Sequence, residues 1–307
     1  SDDLDTLIPR LAKDRTATAE IRNALKYVPT HHEILQGDAR SIQLPSHSIH
    51  LVVTSPPYWN LKQYEDSEGQ LGHWNDYETF LDQLDHVWRH CFDALVPGGR
   101  LICIVGDVCL SRRKNNGRHT VVPLHASIQD RCRTMGFDNV APIIWHKIAN
   151  ATYEVGGGGG FLGKPYEPNA VIKNDIEYIL MQRRPGGYRR PTRAARLFSL
   201  LTEEEQRSWF QQIWTGITGE STRQHPAPFP VSLVDRLIRM FSFVGDTVLD
   251  PFAGTGTTSL AASRCGRNSI SVELIPSYVE LMRERLLKES NRLFGKLDIS
   301  SRKLEAA

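Results

Sequence analysis

The sequence has no long hydrophobic run. None of its 307 residues belongs to an uninterrupted apolar stretch that approaches the roughly 18 residues needed to cross a bilayer as a helix. The N-terminal segment also lacks the basic and then apolar layout of a signal peptide. Both absences predict a soluble, cytoplasmic protein without a membrane partner.

Cysteine is scarce, and the sequence has no CxxC pair. The five cysteines are scattered and lie mostly in apolar segments: Cys91, Cys103, Cys109, Cys132 and Cys265. Neither a zinc site nor a disulfide framework is expected from this spacing. We therefore predict reduced core cysteines and no metal.

An excess of one charge sign is almost absent, because 37 Lys and Arg residues face 35 Asp and Glu residues and the net charge is only +2. Its distribution is uneven, however. The segment Arg183–Arg196 carries six arginines and no acid, and a second basic patch runs from Arg112 to His119. Two basic loops on a balanced chain suit local phosphate contacts better than a general polycation, although each could be a plain solvated surface. The candidates for nucleic-acid contact are Arg112, Arg113, Lys114, Arg183, Arg184, Arg189, Arg190 and Arg193.

What the sequence does have is a regular alternation of apolar strands and amphipathic helices. The patterns predict strands at 32–38, 48–54, 100–107, 141–146, 176–181, 247–249 and 269–272, and helices at 4–25, 77–95, 121–135, 230–241 and 259–265. Strand, helix and strand at this spacing form βαβ units. The predicted fold is α/β, a Rossmann-like, doubly wound and mostly parallel sheet.

One motif follows the second of these strands. Thr54-Ser55-Pro56-Pro57-Tyr58-Trp59 contains two prolines, which remove two backbone donors and end the ladder. A hydroxyl, rigid carbonyls and aromatic faces remain. They can hold a flat polar ring by its edge and its face.

A second motif follows the strand at 247–249. Its glycines let a ligand approach the backbone, the next helix offers free N–H groups, and the following strand ends in an acid suited to ribose hydroxyls. The candidates for cofactor contact are Asp250, Pro251, Phe252, Ala253, Gly254, Gly256, Thr257, Thr258 and Glu273. A dinucleotide would need a third glycine, and Asp250 would repel a pyrophosphate. S-adenosylmethionine, which is cationic and carries no phosphate, matches better.

Together the two motifs resemble those of the amino-group DNA methyltransferases, which carry FxGxG for S-adenosylmethionine and (D/N/S)PPY for the target base. Here these are Phe252-Ala253-Gly254-Thr255-Gly256 and Ser55-Pro56-Pro57-Tyr58, in the order of the β-type permutation. The resemblance implies the class I methyltransferase fold, the catalytic residues Ser55, Pro56, Pro57 and Tyr58, and an adenine contact at Asp38. It also implies that His225–Pro230 lies near the methionine end of the cofactor.

The same resemblance implies an organisation of the chain. We expect an N-terminal helical extension at 1–30, a catalytic half at 31–149, a target-recognition insertion at 150–215, a cofactor-binding half at 216–290 and a C-terminal tail at 291–307. Double-stranded DNA is the implied partner, with base flipping. A homodimer, a cognate restriction endonuclease and a prokaryotic, nucleoid-associated location are further expectations.

The motif residues predict how a target amine would be held, and the resemblance implies which base carries it. Hydrogen bonds to the Ser55 hydroxyl and the Pro56 carbonyl would orient an exocyclic amine, with Tyr58 stacked on the ring and Trp59 or Trp145 as a second stacking face. No Pro-Cys dipeptide is present, which disfavours methylation of ring carbon C5. The family resemblance implies the base: in that family serine in the first motif position goes mostly with N4-cytosine and aspartate mostly with N6-adenine, so N4 of cytosine is favoured and N6 of adenine is the alternative. An RNA or protein methyltransferase and a non-catalytic DNA-binding protein remain alternatives.

Overall fold

The computed structural model describes residues 3–57, 59, 76–110, 115–147, 174–219, 229–291 and 295–304. Nine of the described strands form one sheet in the order β11-β1-β10-β9-β2-β3-β7-β6-β8. The strands are β1 Thr30–Gln36, β2 Ile49–Thr54, β3 Leu95–Val105, β6 Asp138–His146, β7 Ile176–Arg183, β8 Ile213–Trp214, β9 Thr247–Asp250, β10 Asn268–Glu273 and β11 Leu297–Lys303, while β4 Val108–Leu110 and β5 Thr120–Val122 form a separate hairpin. Among the nine, only β7 runs antiparallel to its neighbours.

Helices cover both faces of the sheet. The described helices are α1 Leu4–Leu11, α2 Arg15–Ala24, α3 Tyr77–Ala94, α4 Leu124–Met135, α5 Arg193–Phe198, α6 Glu203–Trp209, α7 Val231–Phe241, α8 Thr257–Arg264 and α9 Pro276–Ser290. Helices α3 and α4 pack on one face, in a cluster that includes Trp88 and Ile128. Helices α7, α8 and α9 pack on the other, where Leu237 and Met282 are fully buried. No described helix is both long and apolar enough to span a bilayer.

The sequence explains why α3 forms where it does. Apolar side chains at helical spacing, among them Phe80, Leu84 and Trp88, are fully buried. Asp76 caps the first turn, because its carboxylate accepts a 2.8 Å hydrogen bond from the Thr79 backbone N–H. The helix therefore lies with one face against the sheet, and β3 begins directly after it.

Strand order places both sequence motifs at one point. Strand β2 pairs with β9, and from there the chain continues to β3 on one side and to β10 on the other. In open α/β sheets, ligands bind outside the carboxyl ends of the strands at such a switch point. We call this side of the sheet, which carries Thr54, Asp250 and Glu273, the carboxyl edge, and the opposite side the amino edge.

The predicted α/β fold is confirmed, and several elements differ in detail. The helix expected at 4–25 is two helices, because Asp14 caps the second by accepting from the backbone N–H groups of Thr16 at 2.9 Å and Ala17 at 3.0 Å. The helix expected at 121–135 starts only at Leu124, since residues 120–122 form β5.

Two elements also bear on the expected domain boundaries. Strand β7, within the range 150–215, lies inside the central sheet between β3 and β6. The segment expected as a tail at 291–307 contains β11, which pairs with β1 along seven residues.

Candidate active site

Strand β2 delivers the first motif to the carboxyl edge. Thr54 is fully buried at its end, Pro56 is buried after it, and Ser55 and Pro57 are half-buried. Tyr58 lies outside the described residues. Ser55 and Pro56 therefore leave the sheet beside the end of β9, which carries the second motif.

The carboxylate of Asp250 joins the two motifs. It is fully buried and accepts from Thr54 Oγ1 at 2.7 Å, from Thr258 Oγ1 at 2.6 Å and from the Phe252 backbone N–H at 3.1 Å. Burial raises its pKa from 3.8 to about 6, against the lowering effect of these hydrogen bonds. Asp250 therefore has a structural role in joining the two motifs, and the cation-binding role expected from its sequence position stays a prediction.

The loop after Asp250 depends on two glycines. Gly254 has φ +51° and Gly256 has φ +80°, in the left-handed region that glycine occupies without strain. A Cβ on Gly256 would also lie 2.2 Å from Met282 Cγ. Because Thr257 then starts α8, the loop presents its backbone at the N-terminal end of that helix.

The carboxylate of Glu273 contacts the backbone of this loop. It accepts from the backbone N–H of Gly254 and from that of Ile275, both at 2.8 Å. Burial raises its pKa from 4.5 to about 7. Each carboxylate oxygen has a further lone pair, so the side chain can also accept from a ligand hydroxyl. This fits the predicted ribose contact.

Asp38 lies at the end of β1, the neighbour of β10. Its carboxylate forms a fork with the Arg40 guanidinium, at 3.0 Å from Nε and 2.5 Å from Nη2, and Arg40 Nη1 donates to Gln83 Oε1 at 2.5 Å. Gly37 N–H donates to the Glu273 carbonyl at 3.0 Å. The structure thus brings Asp38 to the same edge as Glu273 and fixes its orientation.

These residues fit S-adenosylmethionine. Two buried carboxylates, Asp250 and Glu273, flank a loop that a ligand can approach through its glycines. Such a pair of carboxylate acceptors suits a ligand with hydroxyl groups and a cation and disfavours phosphates. Pro251 and Ala253 shape the same loop, with Ala253 N–H donating to the Val272 carbonyl at 3.0 Å.

A histidine and acid pair also lies at the carboxyl edge, and the motifs do not reveal it. Asp107 follows β3, and its Oδ1 lies 2.6 Å from His125 Nδ1. The His125 ring stacks on Tyr178 with centroids 3.8 Å apart and planes 12° apart. In the sequence, Asp107 could have been noticed as a polar residue that comes directly after a buried strand, at the edge where ligands bind.

The two basic patches lie at opposite edges. Hairpin β4–β5 starts just after Asp107, and its described loop residues Arg118 and His119 are exposed at the carboxyl edge. Arg112, Arg113 and Lys114 lie between β4 and β5 in the sequence but outside the described residues.

The second patch follows the antiparallel β7 to the amino edge, about 20 Å away at roughly 3.3 Å per residue of strand. Arg184 Nη1 donates there to the carbonyls of Phe92, Asp93 and Leu95 at 2.6–3.0 Å. Arg189 pairs with Asp246.

The remaining members of that patch are also remote from the motifs. Arg183 Nη2 donates to the Gly186 carbonyl at 2.7 Å, and its guanidinium lies over Tyr188. Arg190 and Arg193 are exposed before and at the start of α5. The structure therefore does not bring Arg183, Arg184, Arg189, Arg190 or Arg193 together with the catalytic motif.

The two tryptophans considered as stacking partners also differ in position. Trp145 is fully buried and donates from Nε1 to the Ile217 carbonyl at 2.9 Å, so it cannot stack on a base. Trp59 is half-buried and packs edge-on against Tyr77 with centroids 5.0 Å apart. Of His225–Pro230, residues 225–228 lie outside the described residues, and Pro230 caps α7.

Known proteins share this architecture. Residues 49–284 match a family described as DNA methylase, of the N6/N4 type. The Type II methyltransferase M.MjaI of Methanocaldococcus jannaschii is 35% identical over 298 residues, which cover 87% of this chain and 94% of that protein. M.MthZI of Methanothermobacter thermautotrophicus is 34% identical over 289 residues, covering 86% and 79% respectively.

Solved structures agree. A putative DNA modification methylase of Thermus thermophilus, complexed with S-adenosyl-L-methionine, is 52% identical with a TM-score of 0.73 and covers 88% of this chain and 98% of its own. The cytosine-N4-specific PvuII DNA methyltransferase shares the fold at 20% identity and a TM-score of 0.60, covering 89% and 96%. As the paired motifs predicted, the chain belongs to the N6/N4 DNA methylase family.

Proposed function

We propose that this enzyme transfers a methyl group from S-adenosyl-L-methionine to the exocyclic N4 of cytosine in duplex DNA. The observation that carries the proposal is the buried Thr54–Asp250 hydrogen bond of 2.7 Å. It holds the end of β2 against the end of β9. In this proposal Ser55 and Pro56, which follow Thr54, bind the target base beside the cofactor loop.

The reaction does not need a strong general base, but it needs the exocyclic amine to be oriented. An exocyclic amine is a poor nucleophile because its lone pair is delocalised into the ring. Hydrogen bonds donated by the amine to the Ser55 hydroxyl and the Pro56 carbonyl would weaken that conjugation and aim the lone pair. Pro56 is buried directly after β2, and its ring fixes its backbone φ. Tyr58 takes the stacking role in this proposal.

The cofactor supplies an electrophilic methyl group carried on a sulfonium. In the transfer, the new N–C bond forms as the S–C bond breaks, and the amine loses one proton to solvent. The chain binds and orients: Glu273 accepts from the ribose hydroxyls, Asp38 faces the adenine, and the negative charge of Asp250 favours the cationic end. Ser55 therefore does not need to accept a proton during the transfer.

The DNA lies along the carboxyl edge in this proposal. The target cytosine must leave the duplex to reach Ser55, and this requires base flipping. The β4–β5 hairpin, on which Arg118 is exposed, supplies phosphate contacts, and Arg112, Arg113 and Lys114, which lie between its two strands in the sequence, are assigned the same role. Within 150–215, the recognition role is assigned to residues 150–173, which separate β6 from β7 in the sequence and lie outside the described residues.

The choice of cytosine rests on Ser55. In the resembling family, serine in the first motif position goes mostly with N4-cytosine and aspartate mostly with N6-adenine. A homodimer, a cognate restriction endonuclease and a cytoplasmic, nucleoid-associated location stay predictions that accompany this proposal.

Nucleoside identification tests the proposal. The enzyme is incubated with S-adenosyl-L-methionine carrying an isotopically labelled methyl group and with unmethylated duplex DNA, RNA or protein in parallel. The DNA and RNA are digested to nucleosides for mass spectrometry, and the protein is digested to peptides. Labelled N4-methylcytosine from duplex DNA is the expected product. Labelled N6-methyladenine alone would move the target to adenine, and label only in RNA or protein would overturn DNA as the substrate.

A further inference from the structure

Strand β11 adds an edge to the sheet outside the part of the chain that matches the family. The matched region ends at residue 284 and begins after β1, so both β11 and its partner β1 lie beyond it. The pairing is parallel and in register from Thr30 opposite Leu297 to Gln36 opposite Lys303. Leu304 N–H extends it by donating to the Gln36 carbonyl at 2.9 Å. The C-terminal strand therefore ends at the carboxyl edge.

Two apolar side chains of this segment point to opposite faces of the sheet. Ile299 packs on the α9 side, in the cluster that holds Ile34 and Leu286. Leu304 packs on the other side, in the cluster that holds Leu35 and Val272. Both are half-buried. They form a matched pair in the same segment, of which only Leu304 reaches the carboxyl edge.

Leu304 meets the turn that carries Asp38. A Cβ built on Gly37 would lie 2.7 Å from Leu304 Cβ, so the two residues are in close contact. Gly37 N–H in turn donates to the Glu273 carbonyl at 3.0 Å, and the Glu273 carboxylate accepts from Gly254 N–H at 2.8 Å. A continuous chain of contacts thus connects Leu304 to the glycine loop.

We propose that Leu304 is a positioning residue for the cofactor site, and that β11 forms its outer wall. The side chain presses the Gly37-Asp38 turn towards Glu273, so the two acidic groups keep the spacing that a nucleoside requires. The apolar side chain of Leu304 beside two carboxylates suits a purine nucleoside, whose ring needs a dry surface and whose hydroxyls need acceptors. The inference rests on the assignment of Asp38 and Glu273 to the cofactor in the proposed function.

Equilibrium binding of S-adenosyl-L-methionine to the full chain tests the inference, with Kd measured by calorimetry and Tm measured on the same samples. Leu304→Ala is expected to weaken binding at least fivefold, and Ile299→Ala is expected to leave Kd within twofold of wild type. The two alanine substitutions should lower Tm comparably, because each removes most of a half-buried aliphatic side chain from the same segment. Leu304→Met, which conserves volume, should bind as the wild type does.

A wild-type Kd in Leu304→Ala, or equal weakening in both alanine variants, would overturn the inference, because either result shows a merely structural side chain. Should Leu304→Ala fail to fold, Leu304→Val carries the test, with at least a twofold weakening expected. A wild-type protein that does not bind S-adenosyl-L-methionine would instead refute the cofactor assignment itself. Binding that is lost in Glu273→Gln but unchanged in Leu304→Ala would refute only the role of Leu304.

Discussion

Asp250 provides a sharp test of how the two motifs are joined. Its carboxylate is fully buried and faces two hydroxyls and a backbone N–H, and among the described residues no cationic side chain donates to it. In Asp250→Asn, the amide oxygen can still accept from Thr54 and Phe252. The amide nitrogen can donate to Thr258 Oγ1, whose own hydrogen can turn to the Val53 carbonyl at 3.5 Å. The substitution therefore removes charge and keeps the hydrogen-bond pattern.

The expected stability change follows from the pKa of Asp250. Burial raises it from 3.8 to about 6, so folding favours the protonated acid. The stability contributed by this group is complete below pH 3.8 and is lost as pH rises through about 6. The difference between the two pKa values corresponds to about 3 kcal/mol. We expect Asp250→Asn to be more stable than wild type by up to that amount at pH 8, and the difference should shrink towards pH 4.

Thermal unfolding between pH 4 and pH 8 measures this difference. About 3 kcal/mol corresponds to a Tm rise on the order of 6 °C for a chain of this size. The same variant should bind S-adenosyl-L-methionine more weakly, because the negative charge that favours the cationic cofactor is gone. Asp250→Ala is the control, which should be less stable than wild type since it leaves two buried hydroxyls without their acceptor. An Asp250→Asn protein less stable than wild type at pH 8 would refute the reasoning.

Three further predictions follow from the same structure. Because burial raises the pKa of Glu273 to about 7 and a ribose would donate to its ionised form, S-adenosyl-L-methionine affinity should rise as pH increases through about 7. Titration calorimetry should find this dependence absent in Glu273→Gln, and a flat wild-type profile would contradict it. Arg184→Met should lower the free energy of unfolding by about 2 kcal/mol, because three carbonyls lose a charged donor, and should leave DNA affinity unchanged. A loss of DNA affinity in a filter-binding assay would show that the amino edge binds DNA. Gln182 is fully buried, and neither polar atom of its side chain has a hydrogen-bond partner among the described residues. Gln182→Met should therefore raise stability by about 1 kcal/mol in urea denaturation, and a lower midpoint would show a hidden partner.

The sequence predicted the parts of the site that are local in the chain. Thr54–Trp59 and Asp250–Thr258 each follow a buried strand, and parallel strands bring their carboxyl ends to one edge. Local patterns therefore sufficed to place Ser55 near the glycine loop. They also suggested Glu273 at the end of the following strand, where the structure finds its carboxylate under Gly254.

Features that depend on strand direction could not be read from local patterns. Strand β7 has the apolar character of its neighbours but runs antiparallel, and this carries Arg183 and Arg184 to the amino edge. Strand β11 is mostly polar and exposed, so its sequence resembles a tail, and only its pairing with β1 makes it a strand. The Asp107–His125 pair joins residues that no spacing rule connects.

The opposite placement of the two basic patches changes the expected DNA footprint. The arginine-rich segment 183–196 contacts the protein itself, including α1 through the Arg196–Asp5 pair at 2.6 Å. Helices α1, α2, α5 and α6 thus form a helical layer at the amino edge, with Glu203 N–H donating to the Ala12 carbonyl at 3.0 Å. We infer that this layer stabilises the fold, and the proposed DNA contacts are therefore assigned to the β4–β5 hairpin.

Single-turnover methyl transfer by Ser55→Ala tests most directly whether this edge of the sheet is the reaction centre. The variant is saturated with S-adenosyl-L-methionine and mixed with duplex DNA, beside wild type and the control Ser48→Ala, whose hydroxyl bonds the Pro45 carbonyl before β2. We expect Ser55→Ala to lose at least about 100-fold in rate with an unchanged cofactor Kd, because an orienting hydrogen bond is removed. Transfer by Ser55→Ala at the rate of Ser48→Ala and wild type would contradict the proposed role of Ser55.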